Sequence, residues 1–168
     1  MVHEKIQSEI RKAKTLHAAH GNAMALDPVI LSLTDGYRRA IKKTGTSMSS
    51  MGVPAACTAC VEKGSGSCCF QGIEEGYDHV LLLANLLLGC DLPDSAEVPD
   101  GCFFVGSKGC KLTARYYFCL HYFCPDLMQI LGKDRVQALL VTLGEELSIG
   151  WQLEQAVRNR LAAIPQCR

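Results

Sequence analysis

The sequence predicts a mainly α-helical protein with a single domain, built as a helical bundle around a cysteine-rich, irregular central region that contains one small β-hairpin. Apolar residues recur every three or four positions near both ends of the chain, which is the helical spacing. Eight of the ten cysteines lie in two central stretches, 57–69 and 102–124, among glycines, serines and prolines. A length of 168 residues suits one core, so residues 1–168 are expected to form one domain.

The first 45 residues are expected to form an N-terminal helical hairpin. Ile6, Ile10 and Ala13 define one apolar face of a helix over residues 3–20. A second helix should begin at Asp27-Pro28, because Asp accepts hydrogen bonds from free backbone amides and Pro suits the first helical position. Residues 44–56 are rich in Gly and Ser without a clear period, which predicts a loop.

Beyond this loop, the sequence predicts a cysteine-cluster region over 57–125 and C-terminal helices over 126–163. Residues 73–89 are apolar nearly all round, which is typical of a central buried helix. Glycines at 106 and 109 favour a small hairpin near Cys110. The C-terminal part is expected to hold a short helix over 126–131 and two further helices, with Gly144 as a weak point between them.

Charge and hydropathy exclude several classes of partner. Lys plus Arg equals Asp plus Glu at 17 each, so there is no basic excess and no nucleic-acid partner is expected. The longest apolar run, 80–89, has about half the length that a membrane span needs. The N-terminus lacks the apolar segment of a secretory signal. We therefore expect a cytoplasmic protein without a membrane partner, whose thiols stay reduced.

The cysteine spacing indicates a metal centre. In a Cys-x-x-Cys pair such as Cys57 and Cys60, two thiolates converge on one ion, and thiolates select zinc or iron–sulfur clusters over hard cations. Of the adjacent Cys68 and Cys69, either one binds, with Cys69 preferred, or the two serve separate sites. Buried, inert thiols or disulfides are the alternatives, and Cys90 and Cys167 are expected to be inert. The candidate ligands are Cys57, Cys60, Cys68, Cys69, Cys110, Cys119 and Cys124.

The order of the motifs in residues 57–125 adds a family resemblance. The motifs are Cys57-x-x-Cys60, then Cys68-Cys69 after seven residues, Gly109-Cys110-x-Leu112, and Cys119-x-x-Tyr122. Their order resembles the bacterial CxxCxxCC cysteine-cluster family, which is described as zinc- or iron-chelating. A related cluster in flagellin lysine methylases implies an iron–sulfur centre. The chain departs from the family where His121 replaces Ile and Cys124-Pro125 replaces Arg-Pro before the last cysteine, which leaves the last ligand open and makes His121 a candidate.

Two cofactors and three functions follow from these observations. Zinc typically uses two Cys-x-x-Cys pairs and the chain has one, while aromatic residues at 116–118, 122 and 123 could shield a cluster. A 4Fe-4S cluster is therefore favoured, with Zn²⁺ as the alternative.

The leading hypothesis is a metal-binding protein for structure, metal handling or electron transfer, with a redox or metal-donor protein as partner. The alternatives are a methyltransferase-like enzyme supported by the cluster and, more weakly, a thiol redox protein using Cys57 and Cys60. No Ser-His-Asp pattern or phosphate-binding glycine loop occurs, so a non-enzymatic function is favoured.

Overall fold

A computed structural model describes residues 3–62 and 68–164 of the chain. Within these ranges the fold is mainly α-helical, as predicted, and no described helix is long and apolar enough to span a membrane. The elements in chain order are α1 (Glu4–Ala25), α2 (Pro28–Ser50), α3 (Val53–Glu62), a single 3₁₀ turn (Ile73–Gly76), α4 (His79–Leu87), β1 (Val105–Gly106), β2 (Gly109–Cys110), α5 (Tyr117–His121), α6 (Pro125–Leu131) and α7 (Lys133–Ala162).

The start of α2 follows the local signals in the sequence. The side chain of Asp27 accepts hydrogen bonds from the backbone amides of Val29 at 3.0 Å and Ile30 at 3.2 Å. Pro28 occupies the first helical position, where no amide donor is needed. This confirms the predicted helix start.

The predicted loop over 44–56 is wrong. Helix α2 continues to Ser50, and after a two-residue break α3 begins at Val53. The cause is tertiary packing. Ala40 lies on the buried face of α2, and Thr44 and Met48 continue this face, each one helical turn further along the helix. Packing of that face against the core outweighs the low helix propensity of the Gly and Ser residues.

The predicted break at Gly144 is also wrong, because α7 runs without interruption for 30 residues. Its buried face continues past Gly144 through Glu146, Gly150 and Leu153, and this face packs along α2. Gly150 permits the close approach of the two helices. A Cβ atom there would lie 2.8 Å from the ring of Tyr37 on α2.

Helix α4 is the central buried helix that the sequence predicts, although it is shorter. All six residues from Val80 to Asn85 are buried, and α4 packs against both α1 and α7. The predicted helix over 73–89 is divided, since Asp78 caps α4 by accepting from Val80 at 3.0 Å and Leu81 at 2.9 Å. The preceding residues form only the 3₁₀ turn.

The described core consists of two clusters of buried residues. The first joins α1, α4 and the segment around Phe103 and Phe104 to the C-terminal half of α7. The second joins the end of α2 and the start of α3 to α5, α6 and the N-terminal half of α7, around Leu120. The predicted hairpin lies beside the first cluster, with Val105 paired to Cys110 and Gly109 in the left-handed region at φ 96°.

Candidate thiol metal site

The Cys-x-x-Cys pair lies on a helix and not in a tight turn. Cys57 and Cys60 are three residues apart on α3, so their side chains share one face of the helix. Cys57 is exposed and Cys60 is half-buried. The helix therefore presents both sulfurs in the same direction, which is what the motif requires.

The two cysteine stretches meet through a direct backbone pairing. The amide of Cys102 donates to the carbonyl of Cys69 at 2.9 Å, and Phe70 forms an antiparallel bridge with Gly101. Cys68 and Cys69 are both half-buried, whereas Cys102 is buried. Cys102 is not among the predicted ligands, and this pairing places it next to one.

The remaining candidates lie on three different elements. Cys110 is exposed on β2, and Cys119 lies half-buried on α5. Cys124 precedes α6, where its sulfur accepts a hydrogen bond from the amide of Leu127 at 3.4 Å. Because α3 packs against α6, Cys124 lies on the same side of the molecule as Cys57.

The thiol of Cys57 has three other thiols in its surroundings. Desolvation of its sulfur raises the pKa of Cys57, and negative charge on Cys68, Cys124 or Cys60 would raise it further. A thiol with a raised pKa is mostly protonated at neutral pH. Each of these three sulfurs is close enough to Cys57 to affect its pKa, and binding a cation would relieve the repulsion between Cys57 and its neighbours as thiolates.

The thiol of Cys69 has a different set of neighbours. A hydrogen bond from the Cys68 thiol lowers the pKa of Cys69, although desolvation and the thiols of Cys102, Cys110 and Cys119 oppose this effect. Cys69 is therefore the better thiolate of the adjacent pair, while the same hydrogen bond raises the pKa of Cys68.

The thiols of Cys102, Cys110 and Cys119 all have a raised pKa, which favours their protonated form. Desolvation raises the pKa of Cys102 to about 12 and that of Cys119 to about 11. A hydrogen bond with the hydroxyl of Tyr77 partly offsets the rise at Cys119. Desolvation also raises the pKa of Cys110. Metal binding here would release protons, so it should be favoured by higher pH.

Arg115 is a functional candidate that the sequence did not single out. Its positive charge lowers the pKa of Cys57, Cys110 and Cys119, against the larger effect of desolvation. Arg115 is half-buried in the segment that leads to α5. A cation in this position favours the thiolate form, but nothing in the residue spacing connects it to the cysteines.

Asn85 on α4 fixes the backbone that precedes Cys119. Its amide nitrogen donates to the carbonyls of Leu81 at 3.0 Å and Ala114 at 2.9 Å. Its amide oxygen accepts from the amides of Thr113 at 3.0 Å and Ala114 at 2.8 Å. The segment between Cys110 and Cys119 is thus attached to the central helix by a fully buried side chain.

The structure gives less support to two other expectations, for His121 and for the aromatic shell. His121 is exposed at the end of α5, and its role as a ligand stays a prediction. Tyr117 and Tyr122 are 57% and 42% exposed, so they do not form a closed apolar shell. Cys90 donates its thiol hydrogen to the carbonyl of Lys111 at 3.3 Å, and its inert role stays a prediction. Cys167 lies outside the described residues.

The described thiols lie near one another but do not form a metal coordination sphere. Within residues 3–62 and 68–164, no three His, Cys, Asp or Glu side chains converge closely enough to hold a metal ion. The donor chemistry fits a soft metal or an iron–sulfur cluster, since thiol sulfurs predominate. Binding would therefore require side chains to move together, as is common where ligation is coupled to local folding.

Comparison with known proteins does not extend these observations. The chain matches no family model, no curated protein and no solved structure.

Proposed function

We propose that this protein binds a metal centre through clustered cysteine thiolates. The observation that carries the proposal is the gathering of thiols from separate parts of the chain, seen in the pairing of Cys69 with Cys102 and in the interaction of Cys57 with Cys124. Cysteines that serve only as small apolar residues are usually buried, whereas Cys57 and Cys110 are exposed. Thiolate–metal bonds would also connect the central segments to the helices and contribute to folding.

A 4Fe-4S cluster is the favoured cofactor and Zn²⁺ the alternative. Support for the cluster comes from the single Cys-x-x-Cys pair and from the motif order of the CxxCxxCC family. The half-buried positions of Cys60, Cys69 and Cys119 are compatible with either cofactor. Structure, metal handling or electron transfer would each be served by such a centre, with a redox or metal-donor protein as its partner.

Metal analysis of anaerobically purified protein tests the proposal. We expect iron with acid-labile sulfide and broad visible absorption for a cluster, or stoichiometric zinc in a colourless protein. Cys57→Ser and Cys60→Ser should each lower the metal content, whereas Cys90→Ser is the matched control because its thiol is already directed at a backbone carbonyl. Protein that contains no metal and takes up none under reducing conditions would overturn the proposal.

A thiol redox function through Cys57 and Cys60 has less support. Such a function needs a nucleophilic thiolate, which a lowered pKa provides. The pKa of Cys57 is instead raised by desolvation and by its thiol neighbours. The methyltransferase-like alternative has no substrate-binding residue that we can name.

A further inference from the structure

We propose that Cys69 and Cys102 form a reversible disulfide, so that the place where the two cysteine stretches pair is also a site of thiol oxidation. The inference goes beyond the proposed metal binding and does not depend on it. It gives a covalent partner to Cys102, a buried residue that is not among the predicted metal ligands. The oxidant would be a small disulfide of the glutathione class.

The backbone places the two cysteines directly opposite each other. Phe70 and Gly101 form an antiparallel bridge, so the residue before Phe70 faces the residue after Gly101. The amide of Cys102 donates to the carbonyl of Cys69 at 2.9 Å, which agrees with this register. Directly opposed residues of an antiparallel pair have Cα atoms about 4.5–5.5 Å apart and side chains on the same face.

That shared face is the buried one. Successive residues of an extended segment point to opposite faces. Phe70 is 50% exposed, whereas Cys69 packs against the first core cluster and Cys102 is a buried member of that cluster. Both cysteine side chains therefore lie on the core side of the pairing, opposite to Phe70.

The separation of the two residues suits a disulfide that is easily reduced. Bonded cysteines usually have Cα atoms about 4.4–6.8 Å apart and Cβ atoms about 3.5–4.5 Å apart, whereas the Cβ atoms of opposed residues are about 4.5–5.5 Å apart. Bonding therefore requires a small approach of the two segments, and the strained disulfides that result are the labile ones. Cys68 is a poorer partner for Cys69, because consecutive Cα atoms are only about 3.8 Å apart.

The difference in exposure sets the order of the two steps. Cys69 is half-buried, while Cys102 is only 6% exposed. The thiolate of Cys69 would attack one sulfur of oxidised glutathione, forming a mixed disulfide and releasing one glutathione thiolate. The thiolate of Cys102 would then attack the sulfur of Cys69 and release the second. The two cysteines lose two electrons and two protons, and these convert one oxidised glutathione into two reduced ones.

Equilibration of the full, metal-free chain in glutathione buffers of graded composition tests the proposal. After alkylation of the remaining thiols, cleavage after Glu and Lys residues yields peptide 64–74, which contains Cys68 and Cys69, and peptide 98–108, which contains Cys102. We expect mass spectrometry to find these peptides joined in oxidising buffer, with the loss of two hydrogen atoms. The joined fraction should depend on the buffer ratio in the same way from reduced and from oxidised protein.

Variants separate the two adjacent thiols. Cys68→Ser should keep the link between the two peptides, whereas Cys69→Ser should lose it. Cys90→Ser is the matched control and should leave the joined fraction unchanged. Circular dichroism checks that each variant keeps its helices, and fragmentation of the joined peptides locates the link in the unaltered chain if a variant does not fold.

Three results would overturn the proposal. They are a link confined to peptide 64–74, no link to Cys102 in the most oxidising buffer, or a link that is lost in Cys68→Ser and kept in Cys69→Ser. Metal content is measured separately on reduced protein, so the failure of either proposal leaves the other standing.

Discussion

Replacing Asn85 by Ala should destabilise the protein strongly, because a small buried side chain satisfies three backbone groups of another segment. The amides of Thr113 and Ala114 lose their acceptor, and the carbonyl of Ala114 loses its donor. Ala114 is fully buried, so water cannot easily replace these partners, whereas Thr113 is half-buried. At about 1–3 kcal/mol for each buried group left unsatisfied, we expect a loss of roughly 3–5 kcal/mol.

Thermal and urea unfolding followed by circular dichroism measure this loss directly. For a protein of this size, each kcal/mol lowers Tm by about 2–4 °C, so Tm should fall by roughly 10 °C. The same variant should expose Cys119 to thiol reagents, since the backbone before α5 is released. Asn159→Ala, at an exposed position of α7, is the matched control and should change stability by less than about 0.5 kcal/mol.

The effect of Asn85→Asp separates lost hydrogen bonds from lost volume. Asp keeps the acceptor for the two amides but places a second oxygen against the carbonyls of Leu81 and Ala114. We expect a loss at neutral pH at least as large as that of Asn85→Ala, with partial recovery at low pH, where the protonated carboxyl can donate. A loss below about 1 kcal/mol in both variants would refute the argument that Asn85 fixes this segment.

Three further predictions concern charged groups. Glu146 is buried, desolvation raises its pKa, and Thr44 offers its carboxylate only a poorly formed hydrogen bond. Glu146→Met should therefore stabilise the protein by about 1–3 kcal/mol, and a lower Tm would contradict this. The second prediction concerns Glu9. Desolvation acts to raise its pKa, but hydrogen bonds from Lys12 and His79 have the larger effect and lower this pKa from 4.5 to about 2. The resulting stabilisation, about 3 kcal/mol at neutral pH, should disappear as pH falls from 4.5 to about 2, so the difference in urea unfolding between the unaltered chain and Glu9→Gln should narrow over that range. Arg115→Gln should slow the reaction of the native thiols with a disulfide reagent because it removes a charge that lowers the pKa of Cys57, Cys110 and Cys119, while the exposed control Arg135→Gln should leave the rate unchanged.

Two of the helix starts could be predicted from the sequence because their causes are local. Asp27-Pro28 and Pro125 act on the backbone within one turn, and both mark a helix start in the structure. The central buried helix was predicted from its continuous apolar run, and the hairpin from the glycines at 106 and 109. None of these features depends on a distant residue.

The helix ends could not be predicted where tertiary packing outweighs local propensity. The Gly and Ser residues after Thr44 indicate a loop, and Gly144 indicates a break, yet both positions are helical because α2 and α7 bury a continuous face against the core. The free energy of that packing exceeds the propensity cost of about 1 kcal/mol for a glycine within a helix.

The sequence by itself determined that this protein is helical and that its thiols occur in two stretches, from which we predict a soft metal centre. Only the tertiary structure brought Cys69 to Cys102, placed Arg115 among the thiols and attached the second stretch to α4 through Asn85. The spacing along the chain determines only whether cysteines a few positions apart can approach each other. Contacts between residues tens of positions apart depend on how the helices pack, and this packing places Cys69 and Cys102 in the first core cluster and Cys124 against the second.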